Sequence, residues 1–440
     1  MKCLIIAAGQ GSRLCRRGDS KPLVPVLGVP LIERAIRSAV EAGADDFYVV
    51  TGYQWEGIRD FLDRLAERLG IPITTLINED WEKENGFSVL KARAYLHEPF
   101  LLLMADHLFD PSIAREMMAH PPAEGEILLA VDGGIRNSLI DMVDVTRVMT
   151  EDGKIGNIGK GLANFNGFDT GIFLCTPAIF QALEQSTEKY GETTLSGAVR
   201  ILANLGRAGA FHAGGQFWVD VDDAAAFSRA EKALLERLRE KANDGPVSRY
   251  LNRPLSVRIS RRLVKYPVTP NQISLFSFLC SLLGAGLFAF GGYLNLLLGG
   301  LLAQFASVID GCDGEVARLK FQRSGYGGWF DAVLDRYADA FLLFGLTWHA
   351  YSANTNELTL VLGFFAIIGS FMLSYTADKY DSLMRDRIIR GKVFRLGRDV
   401  RVFLIFLGAL FDQAYLTLVV IAVVMNIETI RRVIICREHG

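Results

Sequence analysis

Few cysteines and little net charge distinguish this sequence. Its 440 residues carry a formal charge of -2 and include six cysteines. A charge so close to zero predicts no nucleic acid partner. The cysteines lack Cys-x-x-Cys spacing, so we expect them to be reduced, buried and inert, as in a cytoplasmic protein. They are Cys3, Cys15, Cys175, Cys280, Cys312 and Cys436.

The start of the chain shows no pattern of a cleavable signal. Residues Cys3–Ala8 form a short apolar run followed by glycines, which is typical of a first strand rather than of a leader. Apolar residues make up half of the chain, and their excess lies in its second half. We therefore expect at least two domains, of which the later one is unusually apolar.

β-type and helical patterns alternate from Met1 to about Phe227. This alternation predicts an α/β doubly wound sheet that binds a nucleotide at the carboxyl ends of its strands. The predicted strands are Cys3–Ala8, Phe47–Thr51, Ile73–Ile77 and Phe100–Met104, and the predicted helices are Pro30–Ala42, Trp55–Leu69 and Val89–Leu96.

A glycine-containing turn follows the first predicted strand. It reads A-A-G-Q-G-S-R-L, and Lys21-Pro22-Leu23 comes a few residues later. Glycines there let backbone N–H groups approach a phosphate, and Arg13 and Lys21 would neutralise a triphosphate and its pyrophosphate leaving group. The full set resembles the sugar-phosphate nucleotidyltransferase family, whose members join a nucleoside triphosphate to a sugar or alcohol phosphate.

This resemblance implies a set of site residues in the first half. Asp106 would hold Mg²⁺ or Mn²⁺ together with Asp220 or Asp222, and either of the latter two fits, because alternation on a strand points both to one face. Lys160 and Asp169 would bind the acceptor. The nucleotide would contact Ala8, Gly9, Gly11, Asn85, Gly86 and Ser88.

Structural roles are open for three of these residues. Asp106 is also suited to cap a helix or turn, a common position for aspartate. Lys160 is equally well explained as an exposed lysine, and Asp169 as part of a simple turn.

A domain boundary is predicted at Asp244-Gly245-Pro246, where a charged helical pattern that starts at Ala224 breaks. The predicted domains are therefore 1–243 and 244–440. Basic and apolar residues alternate from Arg249 to Lys265, and an apolar stretch follows directly. We expect this segment to lie in a membrane interface with its basic side, which includes Arg253, towards the headgroups.

Six apolar spans are predicted beyond that segment, at about 272–290, 294–316, 328–350, 357–378, 401–412 and 414–430. The loops on one side carry no Lys or Arg, whereas those on the other side are rich in both, which predicts that the basic side is cytoplasmic. The protein would then be a multi-pass protein of the cell (inner) membrane, with its first domain and both sites in the cytoplasm.

Four carboxylates interrupt this apolar region. The sequence is Asp310-x-x-Asp313-Gly314-x-x-Ala317-Arg318, and after eight residues it continues as Gly327-x-x-x-Asp331-x-x-x-Asp335. On two antiparallel helices these spacings aim all four acids into one gap. Acids at that density in a medium of low dielectric constant need a cation, and hard oxygen ligands favour Mg²⁺ or Mn²⁺.

The spacing of the acids matches the signature of the CDP-alcohol phosphotransferase family. The resemblance implies that Asp310, Asp313 and Asp331 bind the metal, and that Asp335 is a further ligand or the base for the acceptor hydroxyl. The small residues Gly314, Ala317 and Gly327 would leave room for the nucleotide, and Arg318 would contact its phosphate. Members of the family are commonly membrane homodimers.

Basic residues accumulate between the fourth and fifth predicted spans. Arg398 and Arg401 lie at the mouth of the fifth span and would bind an anionic acceptor. Binding of lipid headgroups explains the same residues equally well. The others are Arg385, Arg387, Arg390, Lys392 and Arg395.

Together the two halves predict an enzyme that makes and then uses an activated alcohol. CTP is the implied nucleotide, and resemblance to fusions of the two families implies inositol 1-phosphate as the other substrate. One alternative is a synthase that joins a CDP-lipid to an inositol phosphate in the membrane half. A second, non-enzymatic alternative is a transporter whose acids line an ion path.

Overall fold

A computed structural model describes the chain apart from residues 12, 15–19, 135–138, 143, 240–244, 378–379, 381–382, 384–395 and 438–440. The chain divides into two compact units, Met1–Ala233 and Leu234–Gly440. Asp244 lies outside the described residues, so the predicted boundary there stays a prediction.

The first unit is organised around a nine-stranded sheet with the strand order β5-β4-β1-β6-β11-β8-β12-β10-β9. β1 runs parallel to β4 and β6, whereas β11 runs antiparallel to β6 and β8. The parallel strands bring their carboxyl ends to one edge. The strands are β1 (Lys2–Ala7), β2 (Pro25–Val26), β3 (Val29–Pro30), β4 (Asp46–Thr51), β5 (Ile73–Ile77), β6 (Phe100–Met104), β7 (His107–Phe109), β8 (Ile127–Asp132), β9 (Arg147–Glu151), β10 (Lys154–Gly159), β11 (Gly167–Cys175), β12 (Ala208–His212) and β13 (Trp218–Asp220).

Seven α-helices accompany the described strands, and the last of them begins in this unit and continues past Ala233. They are α1 (Leu31–Ala42), α2 (Trp55–Leu69), α3 (Asn85–Leu90), α4 (Pro111–Ala119), α5 (Ala178–Tyr190), α6 (Leu195–Asn204) and α7 (Ala224–Arg239). Alternate residues of the central strands enter two different apolar clusters, as Cys3 and Leu4 of β1 do. A sheet covered on both faces confirms the predicted α/β fold class. The predicted helix Val89–Leu96 is wrong in its bounds, because α3 begins at Asn85 and ends at Leu90, beyond which the chain forms turns.

The second unit is helical in all of its described secondary structure. A π-helical turn at Ser248–Asn252 precedes the helices α8 (Arg253–Leu263), α9 (Pro270–Ala289), α10 (Tyr293–Leu319), α11 (Gly325–Asn354), α12 (Glu357–Tyr375), α13 (Arg398–Leu410) and α14 (Ala414–Arg437). A helix therefore covers most of each predicted span. Three of them, α9, α10 and α12, are long and apolar enough to cross a membrane, and the count of six spans stays a prediction.

Glycines let three of these helices touch through their backbones. A Cβ atom on Gly284 of α9 would lie 2.9 Å from the carbonyl oxygen of Gly299 in α10. One on Gly345 of α11 would lie 2.5 Å from the carbonyl oxygen of Ala285 in α9. Small residues at helix contacts are typical of membrane proteins, because close approach strengthens packing where lipid removes the hydrophobic drive.

The amphipathic segment differs from its prediction at one position. Leu251 and Leu255 are exposed beside the exposed Arg249 and Arg258, as the interfacial interpretation requires. Arg253, however, points inwards and is only 7% exposed. The prediction of a headgroup-facing Arg253 is therefore wrong, because this side chain forms an ion pair inside the unit.

Burial of the cysteines follows the prediction only in part. Cys436 is half-buried rather than buried, and Cys15 lies outside the described residues. The others, Cys3, Cys175, Cys280 and Cys312, are free and buried. Burial raises the pKa of the Cys3 and Cys175 thiols, which suits inert side chains.

Candidate active sites

A cleft of about 510 Å³ lies where β1 and β6 end in the first unit. Most of the predicted site residues of this half line it: Ala8, Gly9, Gly11, Arg13, Lys21, Asn85, Asp106, Lys160, Asp169, Asp220 and Asp222. Gly86 and Ser88 are not among the lining residues. A Cβ atom on Gly86 would lie 2.3 Å from the Thr193 carbonyl oxygen, and the buried Ser88 hydroxyl accepts from Asn78. Gly86 and Ser88 thus contact neighbouring protein atoms, and their contact with the base stays a prediction.

Lys21 lies between two carboxylates at the base of this cleft. Its ammonium donates to Asp106 and to Asp222. Burial lowers the pKa of Lys21, but the two carboxylates outweigh it and hold the pKa above its ordinary value. The glycine at position 11 leaves room for the Lys21 side chain. At φ +61°, a Cβ atom on Gly11 would lie 2.3 Å from the Cβ of Lys21.

Asp220 and His107 complete this acidic cluster, with ligand atoms of Asp106, His107 and Asp220 within 4.8 Å of one another. Burial, above all, raises the pKa of Asp220 to about 7. Burial also acts to raise the pKa of Asp106, but the Lys21 ammonium outweighs it, so this pKa is lowered. Asp220 ends β13 whereas Asp222 lies beyond it, so strand alternation does not relate the two.

Arg13 and Lys160 meet at a carboxylate that sequence reasoning missed. Arg13 Nη1 lies 2.8 Å from Asp144 Oδ2, and Lys160 Nζ lies 2.5 Å from Asp144 Oδ1. Hydrogen bonds from Lys160 and then Arg13 lower the pKa of Asp144. Asp169 faces the same cleft, yet its Oδ1 accepts from the Gly171 N–H at 2.8 Å, as the turn interpretation predicts.

The second acidic cluster lies between α10 and α11. Oxygens of Asp310, Asp331 and Asp335 lie within 4.8 Å of one another. The helical spacing places them there, since residues three and four apart share a face. Asp313 accepts from the Ser274 hydroxyl of α9 at 2.5 Å. Asp331 Oδ1 is buried and makes no hydrogen bond within the described part of the chain.

Arg398 at the start of α13 enters this cluster. Its Nη1 lies 2.9 Å from Asp310 Oδ2 and 2.6 Å from Asp335 Oδ1, and its Nε lies 3.2 Å from Asp339 Oδ1. Arg401 does not reach the cluster. It is 1% exposed and donates to Asp339, one turn beyond Asp335. Arg401 therefore holds a buried ion pair instead of the predicted acceptor contact. The other predicted basic residues, Arg385, Arg387, Arg390, Lys392 and Arg395, lie outside the described residues.

Relatives similar along nearly the whole chain carry one shared name. The "Bifunctional IPC transferase and DIPP synthase" of Rubrobacter xylanophilus is 36% identical over 98% of this chain and 95% of its own. That of Aquifex aeolicus is 32% identical over 97% of this chain and 96% of its own. The chain belongs to this family.

Two family models match separate parts of this member of the bifunctional IPC transferase and DIPP synthase family. The MobA-like NTP transferase domain matches residues 3–202, and the CDP-alcohol phosphatidyltransferase matches residues 267–427. The protein is thus an enzyme with a nucleotidyltransferase and a CDP-alcohol phosphotransferase domain. A solved structure, the inositol-1-phosphate CTP transferase from T. maritima, is 26% identical and covers 52% of this chain and 95% of its own, with a TM-score of 0.47.

A shorter relative matches only part of the family member. The "Archaetidylinositol phosphate synthase" of Pyrococcus horikoshii is 31% identical over 180 residues, which is 40% of this chain and 87% of that protein. A match of this size corresponds to one of the two domains.

The family member's second site also contains residues that sequence reasoning missed. A cavity of about 180 Å³ beside the acids is lined by Gly314 and Arg318, but Ala317 and Gly327 are not in its lining. Its lining also includes Arg253, whose Nη1 lies 2.7 Å from Oε1 of the fully buried Glu315. The lining residues are Ser248, Asn252, Arg253, Ser256, Ser307, Asp310, Gly311, Asp313, Gly314, Arg318, Asp331, Arg398 and Asp399.

Proposed function

We propose that the two sites catalyse successive reactions. The first joins CTP and inositol 1-phosphate into CDP-inositol, with release of pyrophosphate. The second transfers phosphoinositol from CDP-inositol to another inositol 1-phosphate, which gives di-myo-inositol phosphate phosphate and CMP. Support comes from the shared name of the full-length relatives and from the order of the two matched domains.

A divalent metal, Mg²⁺ or Mn²⁺, suits the residues of the first cleft. Asp220 Oδ1 is buried and makes no hydrogen bond within the described residues. Asp106 and Asp220 are the proposed ligands, because their oxygens lie within 4.8 Å of each other in a group that does not include Asp222. The ion would offset negative charge at the α-phosphate of CTP.

The remaining groups of the first cleft position the substrates for in-line attack by the inositol phosphate oxygen. Arg13 and Lys21 bind the pyrophosphate as it leaves, because each carries a cation into the cleft beside the glycine turn. Lys160, on the same Asp144 carboxylate as Arg13, binds the phosphate of the acceptor. Asp144 keeps both cations aimed at the cleft until the phosphates arrive.

The second cluster also fits a divalent metal. The unpartnered Oδ1 of Asp331 and the neighbouring Asp310 supply hard oxygen ligands, with Asp335 beside them. The ion would offset the charge of the CDP diphosphate. Asp335 accepts the proton of the attacking hydroxyl, and Arg398 beside it binds the acceptor phosphate.

We further propose that the second unit crosses the cell membrane several times, with both sites in the cytoplasm where CTP is present, and that the enzyme is a homodimer. Exposed apolar side chains on α9 and α12, such as Leu283 and Phe364, support insertion.

Synthesis of a phospholipid from a CDP-lipid is the competing function of the membrane half. It is favoured by similarity to the archaetidylinositol phosphate synthase. CTP and labelled inositol 1-phosphate, incubated with the full-length enzyme with and without a CDP-lipid, separate the two functions, because the inositol label stays in either product whereas CTP leaves as CMP and pyrophosphate. We expect a water-soluble labelled phosphodiester without lipid. Label that enters product only when CDP-lipid is added would establish the lipid function instead.

A further inference from the structure

His107 has one ring nitrogen whose role the structure determines. Its Nδ1 lies 2.8 Å from the carbonyl oxygen of Thr170. A carbonyl oxygen can only accept, so Nδ1 carries a hydrogen and donates it. In the neutral ring, Nε2 then keeps its lone pair and is available to a metal ion.

Nε2 faces the two carboxylates proposed to bind the metal. It lies 3.7 Å from Asp106 Oδ1 and 3.6 Å from Asp220 Oδ1. Two ligands that are each about 2.1 Å from one ion lie roughly 3.0–3.4 Å apart. Nε2 is therefore within a few tenths of an ångström of the separation that a shared ion requires from each carboxylate, and all three ligand atoms lie within 4.8 Å of one another.

Two features of the backbone hold the ring in this orientation. His107 and Asp220 are directly paired across β7 and β13, so each fixes the position of the other. Gly171, at φ +73°, leaves the space that the ring fills, since its Cβ atom would lie 2.1 Å from Nδ1. A histidine whose second nitrogen is fixed by a backbone carbonyl is the usual arrangement in metal sites.

We propose that His107 is the third protein ligand of the metal held by Asp106 and Asp220. Replacing one carboxylate oxygen with an imidazole nitrogen shifts a site from Mg²⁺ towards Mn²⁺ and later transition metals. The cytidylyltransferase site would thus prefer Mn²⁺, in contrast to the all-carboxylate cluster of the membrane half. This inference rests on the proposed function, because it requires a metal at the first site.

Pulsed electron paramagnetic resonance of bound Mn²⁺ tests the ligand directly. The sample is the untagged full-length enzyme in detergent with Mn²⁺ and CTP. We expect the magnetic coupling of a directly bonded imidazole nitrogen. Mn²⁺ at Asp310, Asp331 and Asp335 adds none, since that cluster consists of carboxylates.

Two variants identify the nitrogen. His107→Asn retains an amide N–H that can donate to Thr170 but lacks Nε2, so the coupling should vanish and the preference for Mn²⁺ over Mg²⁺ should fall roughly tenfold. His120→Asn is the matched control, because exposed His120 also contacts a backbone carbonyl through Nδ1, that of Glu116 at 3.1 Å. It should keep both properties.

The spectrum of the wild-type enzyme tests whether a histidine binds the metal even if His107→Asn does not fold. Bound Mn²⁺ without nitrogen coupling, in an enzyme that still releases pyrophosphate, overturns the histidine ligand and leaves the proposed function intact. Coupling that survives in folded His107→Asn also overturns it. Absence of pyrophosphate release from CTP and inositol 1-phosphate in wild type would instead contradict the proposed function.

Discussion

The two acidic clusters each enclose a cation supplied by the chain itself. In the first unit, the ammonium of Lys21 lies between Asp106 and Asp222. In the second, the guanidinium of Arg398 joins Asp310 to Asp335. Lys21 belongs to the segment that follows β1, close to the glycine turn, and Arg398 begins a helix; each cation is far along the chain from the acids that it joins.

The type of cation matches the geometry of each cluster. An ammonium is a compact point charge and sits between two carboxylates, while the planar guanidinium presents donors in several directions. Arg398 uses them to reach a third acid, Asp339, which also pairs with the buried Arg401. Close carboxylates repel one another without a cation, so these resident cations stabilise both clusters before a metal arrives.

If the two clusters work independently, Asp331→Asn should slow phosphotransfer strongly and leave cytidylyl transfer unchanged. A neutral amide is a poor ligand for a hard dication, so phosphotransfer should fall on the order of 10²–10³-fold and require more Mg²⁺. CMP release from supplied CDP-inositol, measured over a Mg²⁺ titration, provides the test. Asp412→Asn is the control, because this exposed residue lies at φ 57°, which asparagine tolerates.

Asp335→Asn sharpens the same measurement. As a base, Asp335 acts on the proton of the acceptor, so turnover should fall while Mg²⁺ and nucleotide still bind. Loss of metal affinity equal to that of Asp331→Asn would make Asp335 a ligand. Unchanged metal and nucleotide affinity in both variants would eliminate the metal site.

The converse experiment uses Asp106→Asn in the full-length enzyme. Cytidylyl transfer should fall about 10²-fold, less than in the membrane site, because Lys21 and His107 still flank the cleft. Phosphotransfer from supplied CDP-inositol should be unchanged. Pyrophosphate and CMP assays measure the two steps, with Asp152→Asn in the β9–β10 turn as control. Parallel loss of both activities in a folded variant would indicate one composite site.

Gly11→Ala tests how Lys21 is placed and should have the smallest effect. The added Cβ meets the Lys21 side chain and strains a positive φ, so cytidylyl transfer should fall about tenfold. Pyrophosphate release at saturating CTP measures it. Gly57→Ala, where no heavy atom lies within 4 Å of the new Cβ, should be neutral. Full activity of Gly11→Ala would show that the position of Lys21 does not depend on a glycine at residue 11.

Local spacing explains which parts were predictable. Asp310, Asp331 and Asp335 could be placed from helix periodicity alone, and the strand–turn pattern predicted the cleft that contains Lys21 and Asp106. Asp339 continues the four-residue interval of Asp331 and Asp335, so the signal for it was present in the sequence.

Other positions depend on long-range packing, which periodicity does not encode. Glu315 forms an ion pair with Arg253 because α8 packs against α10. Asp144 forms ion pairs with Arg13 and Lys160, which belong to other segments of the chain. Arg401 follows Arg398 by three residues and also contacts Asp339, but it is not among the residues that line the cavity. Gly86 approaches the Thr193 carbonyl oxygen so closely that a side chain would not fit there, a packing contact that the sequence motif does not reveal.

The glycine contacts among α9, α10 and α11 limit how the acidic motif could be transplanted. Gly284 and Gly345 keep the backbones of these helices nearly in touch, so the spacing between the carboxylates is set by main chain and not by adaptable side chains. A designer who copied only the aspartates into another helical bundle would obtain the right residues at the wrong separation. The glycines on the neighbouring helix faces would have to be copied with them.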